Sequence, residues 1–190
     1  MEYIFNQHLD AALRQAWTVD MKNQFNIGVV SSERAMQAEL YYSLRTLLNE
    51  KYKIFVEPIE IRIKGNLKGM VPDLILTHEQ EIICIIEIKY MPWKNILHKN
   101  DMDKINFYST LSKVEQGIKI NPLTGDYIQN EFTYSESLVT IFAAIGKSTS
   151  QPFDLKNWSG TKNTYLFIGT KNNENLDSIV FEIKSIHEID

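Results

Sequence analysis

Between residues 82 and 88 the chain reads Ile-Ile-Cys-Ile-Ile-Glu-Ile, and every residue but Glu87 is apolar. Strand side chains alternate between the two faces of a sheet, so a strand through this run has no polar face to turn towards water. It must be a central strand covered on both sides. Together with the order of elements along the chain, this favours an α/β sheet with helices packed on its faces. The length of 190 residues suits one domain with a proper core. Hydrophobic content of 44% and charged content of 23% are those of an ordinary globular chain.

The surrounding pattern supplies the other elements. Leu9, Ala12, Leu13, Ala16 and Trp17 recur at helical spacing after Asn6, a residue type that caps helices. Residues 23–30 read as a connector. Ser31 or Ser32 then caps a second helix with Met36, Leu40, Leu44, Leu47 and Leu48 as its apolar stripe, and Glu39 lies beside that stripe. Three strand segments are expected next. Ile59, Ile61 and Ile63 alternate with Glu60, Arg62 and Lys64; residues 71–77 follow the loop 65–69; residues 82–91 follow a turn at 78–81, in which His78 is expected as an exposed residue. A helix is predicted over 101–114, a strand over 137–145, and two more over 165–170 and 179–186, the last at an edge.

Charge and cysteine content narrow the setting. The net charge of −4 argues against broad non-specific affinity for nucleic acid, which depends on neutralising phosphates. Lys51, Lys53, Arg62, Lys64 and Lys68 fall in one stretch, however, and Lys89, Lys94, Lys99 and Lys104 in another, so a local basic surface on an acidic body is compatible with the total. A single cysteine, Cys84, excludes an internal disulfide and a cysteine-rich zinc site, and its place in the apolar run predicts a buried thiol. No secretory signal and no membrane-spanning run are read, so a reducing, cytoplasmic setting without a membrane partner is expected.

The chemistry-bearing residues gather around the central run. Pro72-Asp73 opens one expected strand, and Glu87-Ile88-Lys89 closes the next. Glu87 and Lys89 point to the same side. Positions 73 and 87 are equidistant from residue 80, so a hairpin centred there sets Asp73 opposite Glu87, with Cβ atoms about 4.5–5.5 Å apart. Two carboxylates at that distance repel unless a cation lies between them. A plain salt bridge of Lys89 at the strand's exit into water is the alternative for the Glu-x-Lys half alone.

Taken together, Val-Pro72-Asp73-Leu-Ile-Leu and Ile-Ile-Glu87-Ile-Lys89-Tyr resemble the PD-(D/E)XK nuclease superfamily, whose members include restriction-type and repair nucleases. The resemblance covers residues 31–146 and implies a restriction-endonuclease-like αβββαβ core with a mixed central sheet flanked by helices. Residues 1–30 would be an N-terminal helical extension and residues 147–190 a C-terminal β extension of the same single domain. It further implies hydrolysis of phosphodiester bonds in nucleic acid, with DNA favoured over RNA, aided by Mg²⁺ or by Mn²⁺ as a substitute. Asp73, Glu87 and the backbone carbonyl of Ile88 would hold the ion, with Lys89 positioning the nucleophile or stabilising the transition state. Glu39 is the match for a glutamate that relatives often supply from the first core helix, and Lys104 for a basic residue on the helix after the motif strand. Trp93 and Lys94, just beyond that strand, are candidates to stack bases and meet phosphates.

Two other readings stand beside this one: a catalytically silent nuclease-fold binding or assembly module, and a Mg²⁺-dependent phosphoesterase acting on a small nucleotide. A homodimer or a larger complex is compatible with either a nuclease or a module. Other catalytic signatures are missing: His8, His78, His98 and His187 are scattered, and neither a Gly-x-Ser-x-Gly elbow nor a phosphate-binding Gly-x-x-x-x-Gly-Lys loop occurs.

Overall fold

The computed structural model describes residues 7–58, 71–92, 99–111, 118–119, 131–147, 163–171 and 179–185. Its centre is the apolar run. Strand β3 (Glu81–Met91) lies between β2 (Leu74–His78), to which it is antiparallel, and β5 (Glu131–Lys147), to which it is parallel. The sheet extends through β1 (Tyr52–Val56) on one side and through β6 (Thr164–Lys171) and β7 (Ile179–Ser185) on the other. The order β1-β2-β3-β5-β6-β7 makes a mixed sheet, and β4 (Ile118–Lys119) pairs with β5 off that path. Among the described residues β7 is an edge, as expected from its place in the chain, and β1 is the other.

Both faces are covered, which is why residues 82–88 are apolar on both. On one face, helix α3 (Glu33–Leu47) buries Met36, Leu40 and Leu44 against Leu74, Leu76, Ile86 and Ile88. Each such side chain stabilises the fold by about 1.5–3 kcal/mol when fully buried. The Ser32 side chain caps this helix by accepting a hydrogen bond from Ala35 N (3.1 Å). The same core holds Leu9, Leu13, Trp17 and Met21 from α1 (Gln7–Gln15) and the π-helical turn Ala16–Met21 that continues it. Trp17 donates its indole N–H to Glu182 O (3.2 Å) and packs on Phe167 and Phe181, tying the first helices to the last two strands. On the opposite face, α4 (Lys99–Ser109) sets Ile105 and Tyr108 on Ile75, Ile85, Phe142 and Leu166.

Three expectations change. Helix α2 (Lys22–Asn26) occupies half of the stretch read as a connector. Strand β1 at Tyr52–Val56 was not foreseen, while the expected strand at 59–64 and the loop after it lie outside the described residues. His78 is not in the turn: it ends β2, half-buried, with its ring 4.8 Å from that of Tyr52.

The β2–β3 turn is Glu79–Gln80, and Glu79 adopts φ +55°, a left-handed conformation that costs an L side chain about 1–2 kcal/mol. Glu79→Gly is therefore expected to raise the melting temperature by roughly 1–4 °C, after allowance for glycine's greater freedom in the unfolded chain. A thermal melt checks it; a lower melting temperature would mean that the Lys51–Glu79 ion pair at 3.7 Å contributes more than its exposure suggests.

Candidate active site

A two-residue turn at 79–80 pairs His78 with Glu81 and Thr77 with Ile82. Continued without interruption, that register would place Asp73 opposite Ile86, on the wrong side of the strand for Glu87. A β-bulge corrects it. Between the pairs Thr77–Ile82 and Leu76–Cys84, β3 carries the extra residue Ile83. Ile83 and Cys84 both join the core under α3, whereas Ile82 and Ile85 join the one under α4. Beyond the bulge Leu74 pairs with Ile86, so the next step along sets Asp73 against Glu87. One inserted residue thus carries Glu87 and Lys89 to the α4 side of the sheet, level with Asp73.

Asp73 is held from every side. Its backbone carbonyl accepts the N–H of Glu57 (3.0 Å) and the side-chain amide of Gln37 (3.2 Å). Its carboxylate Oδ2 accepts the N–H of Ile88 (2.6 Å). An extended residue sends its N–H and C=O to the same edge of the strand, so the Ile88 carbonyl also faces the side on which Asp73 stands. Glu57 pays for its part in this clamp with φ +42°, a strained value for a residue with a side chain.

The electrostatics are set first by burial and then by neighbouring charge. Burial pushes the Asp73 carboxyl up from its ordinary 3.8 to about 6; the Ile88 N–H opposes this, and the charges of Glu33 and Glu57 add to the rise while Lys104 counters it. Glu87 is only 4% exposed, and the Lys104 ammonium lies directly on its Oε1. The fully buried Tyr108 phenol is held above its ordinary range chiefly by burial, then by the charges of Glu87 and Asp73.

The helix carboxylate at this end of the sheet is Glu33. Its Oε2 accepts the Tyr90 N–H (3.4 Å) and lies 3.7 Å from Lys89 Nζ. Gln37, one turn further along α3, reaches both Asp73 and Glu57. Glu39 is about 160° from Gln37 around the helix axis. Its carboxylate accepts from Ser43 of its own helix (3.3 Å). The structure thus brings Asp73, Glu87, Ile88, Lys89 and Lys104 together and adds Glu33, Gln37 and Glu57, which the sequence reading missed. Glu33 had one visible signal, its place immediately after the capping Ser32; nothing in the sequence marked where that helix end would dock. Trp93 and Lys94 lie outside the described residues. Cys84 is buried as expected, and burial pushes its thiol up, far from any reactive state.

Among the described residues, no helix is long and apolar enough to cross a membrane, and no set of three or more His, Cys, Asp or Glu side chains gathers as a metal group. Mg²⁺ asks for less, because it uses one or two carboxylates and keeps several waters. The carboxyl of Asp73, the buried carboxylate of Glu87 and the carbonyl of Ile88 are oxygen donors of the type such an ion takes. No family model, no curated protein and no solved structure matches this chain.

Proposed function

We propose that the chain is a Mg²⁺-dependent nuclease that hydrolyses phosphodiester bonds in nucleic acid, DNA before RNA, with a PD-(D/E)XK-type site on a restriction-endonuclease-like core. The observation that carries this reading is the bulge-set register, which brings Asp73 level with Glu87 and Lys89 and leaves Asp73 bonded to the Ile88 N–H. The succession α3, β1, β2, β3, α4, β4, β5, with the short β4 off the main sheet path and β5 parallel to β3, supports it as well.

Asp73, Glu87 and the Ile88 carbonyl would hold the ion. When bound, the ion acidifies a coordinated water and offsets charge on the scissile phosphate. The protein's own residues do the rest. Gln37 and Glu57 fix Asp73 through its backbone, so its carboxylate need not reorganise during the reaction. Lys89 presents a compact positive charge beside the carboxylates, suited to orienting the nucleophile and meeting charge that develops on the phosphate. Glu33 keeps the Lys89 ammonium at that end of β3.

Lys89→Ala is expected to lower cleavage by about 10²–10³-fold with little change in stability, since a half-exposed ion pair contributes little. The test is incubation of single- and double-stranded DNA and RNA with Mg²⁺ or Mn²⁺, beside that variant. Metal-dependent cutting of DNA, lost in Lys89→Ala, supports the reading. Cutting of RNA alone would reassign the substrate. Absence of cutting, together with absence of metal binding, would leave the binding or assembly module.

A further inference from the structure

The Lys104 ammonium occupies the carboxylate that the proposed ion would need. The two side chains differ in freedom: the Glu87 side chain is buried and fixed to the central strand, whereas that of Lys104 is 28% exposed, on a flexible stem at the surface of α4. The helix itself is anchored, with Ile105, Tyr108 and Leu111 fully buried around it. Movement therefore falls to the lysine side chain. Its charge is also among those that restrain Asp73, so a single ammonium acts on both carboxylates of the opposed pair.

We infer that Lys104 is an exchangeable counter-ion: its ammonium and a divalent cation compete for Glu87, and the cation enters by displacing Lys104. This rests on the metal-binding reading of Asp73 and Glu87. Without an ion, Glu87 would be a buried charge beside a second carboxylate, a state that proteins avoid unless the charge is paired. With the ion bound, an ammonium against Glu87 would face a dication at contact distance, and repulsion drives it outward along its exposed stem. Lys104 thus keeps the site folded at low metal and sets the concentration at which the ion binds. The Lys89 ammonium is paired with Glu33 at the end of the strand (3.7 Å).

The test is Mg²⁺ titration by calorimetry of the wild-type chain, Lys104→Met and Lys104→Gln, with circular dichroism to follow folding. Lys104→Gln keeps an N–H donor for Glu87 while removing the charge. Both variants are expected to bind Mg²⁺ at least about tenfold more tightly than the wild type, the effect of deleting one unit of like charge beside a bound cation. A variant that is unfolded without Mg²⁺ and folds with it supports the same competition, as does binding by the variants when the wild type binds none. Equal or weaker binding by the variants, with the wild type still binding, overturns the competition and leaves the metal site standing. If neither the wild type nor the variants bind, the metal-site reading fails with it.

Discussion

Asp73→Asn is expected to abolish metal-dependent cleavage, by a factor of about 10³ or more, while making the protein more stable at neutral pH. The two effects share one cause. Burial and the neighbouring charges of Glu33 and Glu57 push the Asp73 carboxyl up to about 6. A raised carboxyl favours the protonated form in the folded state, so the folded protein binds more protons than the unfolded chain between about 3.8 and about 6. Stability then falls as pH rises through that window, and the full cost is present above it. Part of the carboxylate meets solvent, so the cost at neutral pH is about 1–2 kcal/mol rather than the full value of the shift. Asparagine removes the charge and keeps an oxygen for the Ile88 N–H. Its melting temperature should exceed the wild type's by roughly 2–8 °C at pH 8, and the gap should close as pH falls towards 4. Loss of cleavage without any gain in stability would mean that Asp73 is not under the strain described.

Lys104→Met should have the largest effect on stability in the metal-free protein, a loss of about 2–4 kcal/mol or roughly 5–15 °C in melting temperature. Glu87 is among the few buried charged residues of the described chain, and Lys104 is the ammonium on its Oε1. Removing one partner of a buried pair leaves the other charge desolvated, and this costs more than the pair itself contributes. The double variant Lys104→Met, Glu87→Gln should recover most of the loss, since no charge is then stranded. Thermal melts of the two single variants and the double one measure the coupling. If Lys104→Met alone melts with the wild type, Glu87 is adequately solvated or held by other groups, and the pair is not structural.

The central strand was legible because its burial on both sides leaves a continuous apolar run that nothing but a covered sheet accommodates. The approach of Asp73 to the end of β3 was also legible, but the route to it was not. A turn centred on residue 80 predicts the pairing, whereas the actual turn lies half a residue earlier and the Ile83 bulge restores the register. Isoleucines at 82, 83, 85 and 86 suit either face, so no residue announced which one would be extra. Strand β1 was hidden for a different reason: Lys53 and exposed Val56 blur the alternation, although Ile54 packs on the core under α3 and Phe55 on the core under α4. Among the site residues, those on the strands followed from period-two alternation. Glu33, Gln37 and Glu57 did not, because they reach Asp73 and Lys89 through the docking of α3 on the sheet and a left-handed residue after β1, both matters of tertiary packing. Glu39 was implied by the resemblance alone, and which flank of a helix meets a strand end depends on how far along the helix the contact falls; its carboxylate accepts from Ser43 of its own helix.

The most direct measurement is the rate at which the purified chain cuts duplex DNA in Mg²⁺, with folded Asp73→Asn assayed alongside and a chelator control. The account predicts cleavage by the wild type that is lost on chelation and reduced at least about 10³-fold in the variant. Cleavage that persists in Asp73→Asn, or that proceeds without a divalent ion, would contradict it.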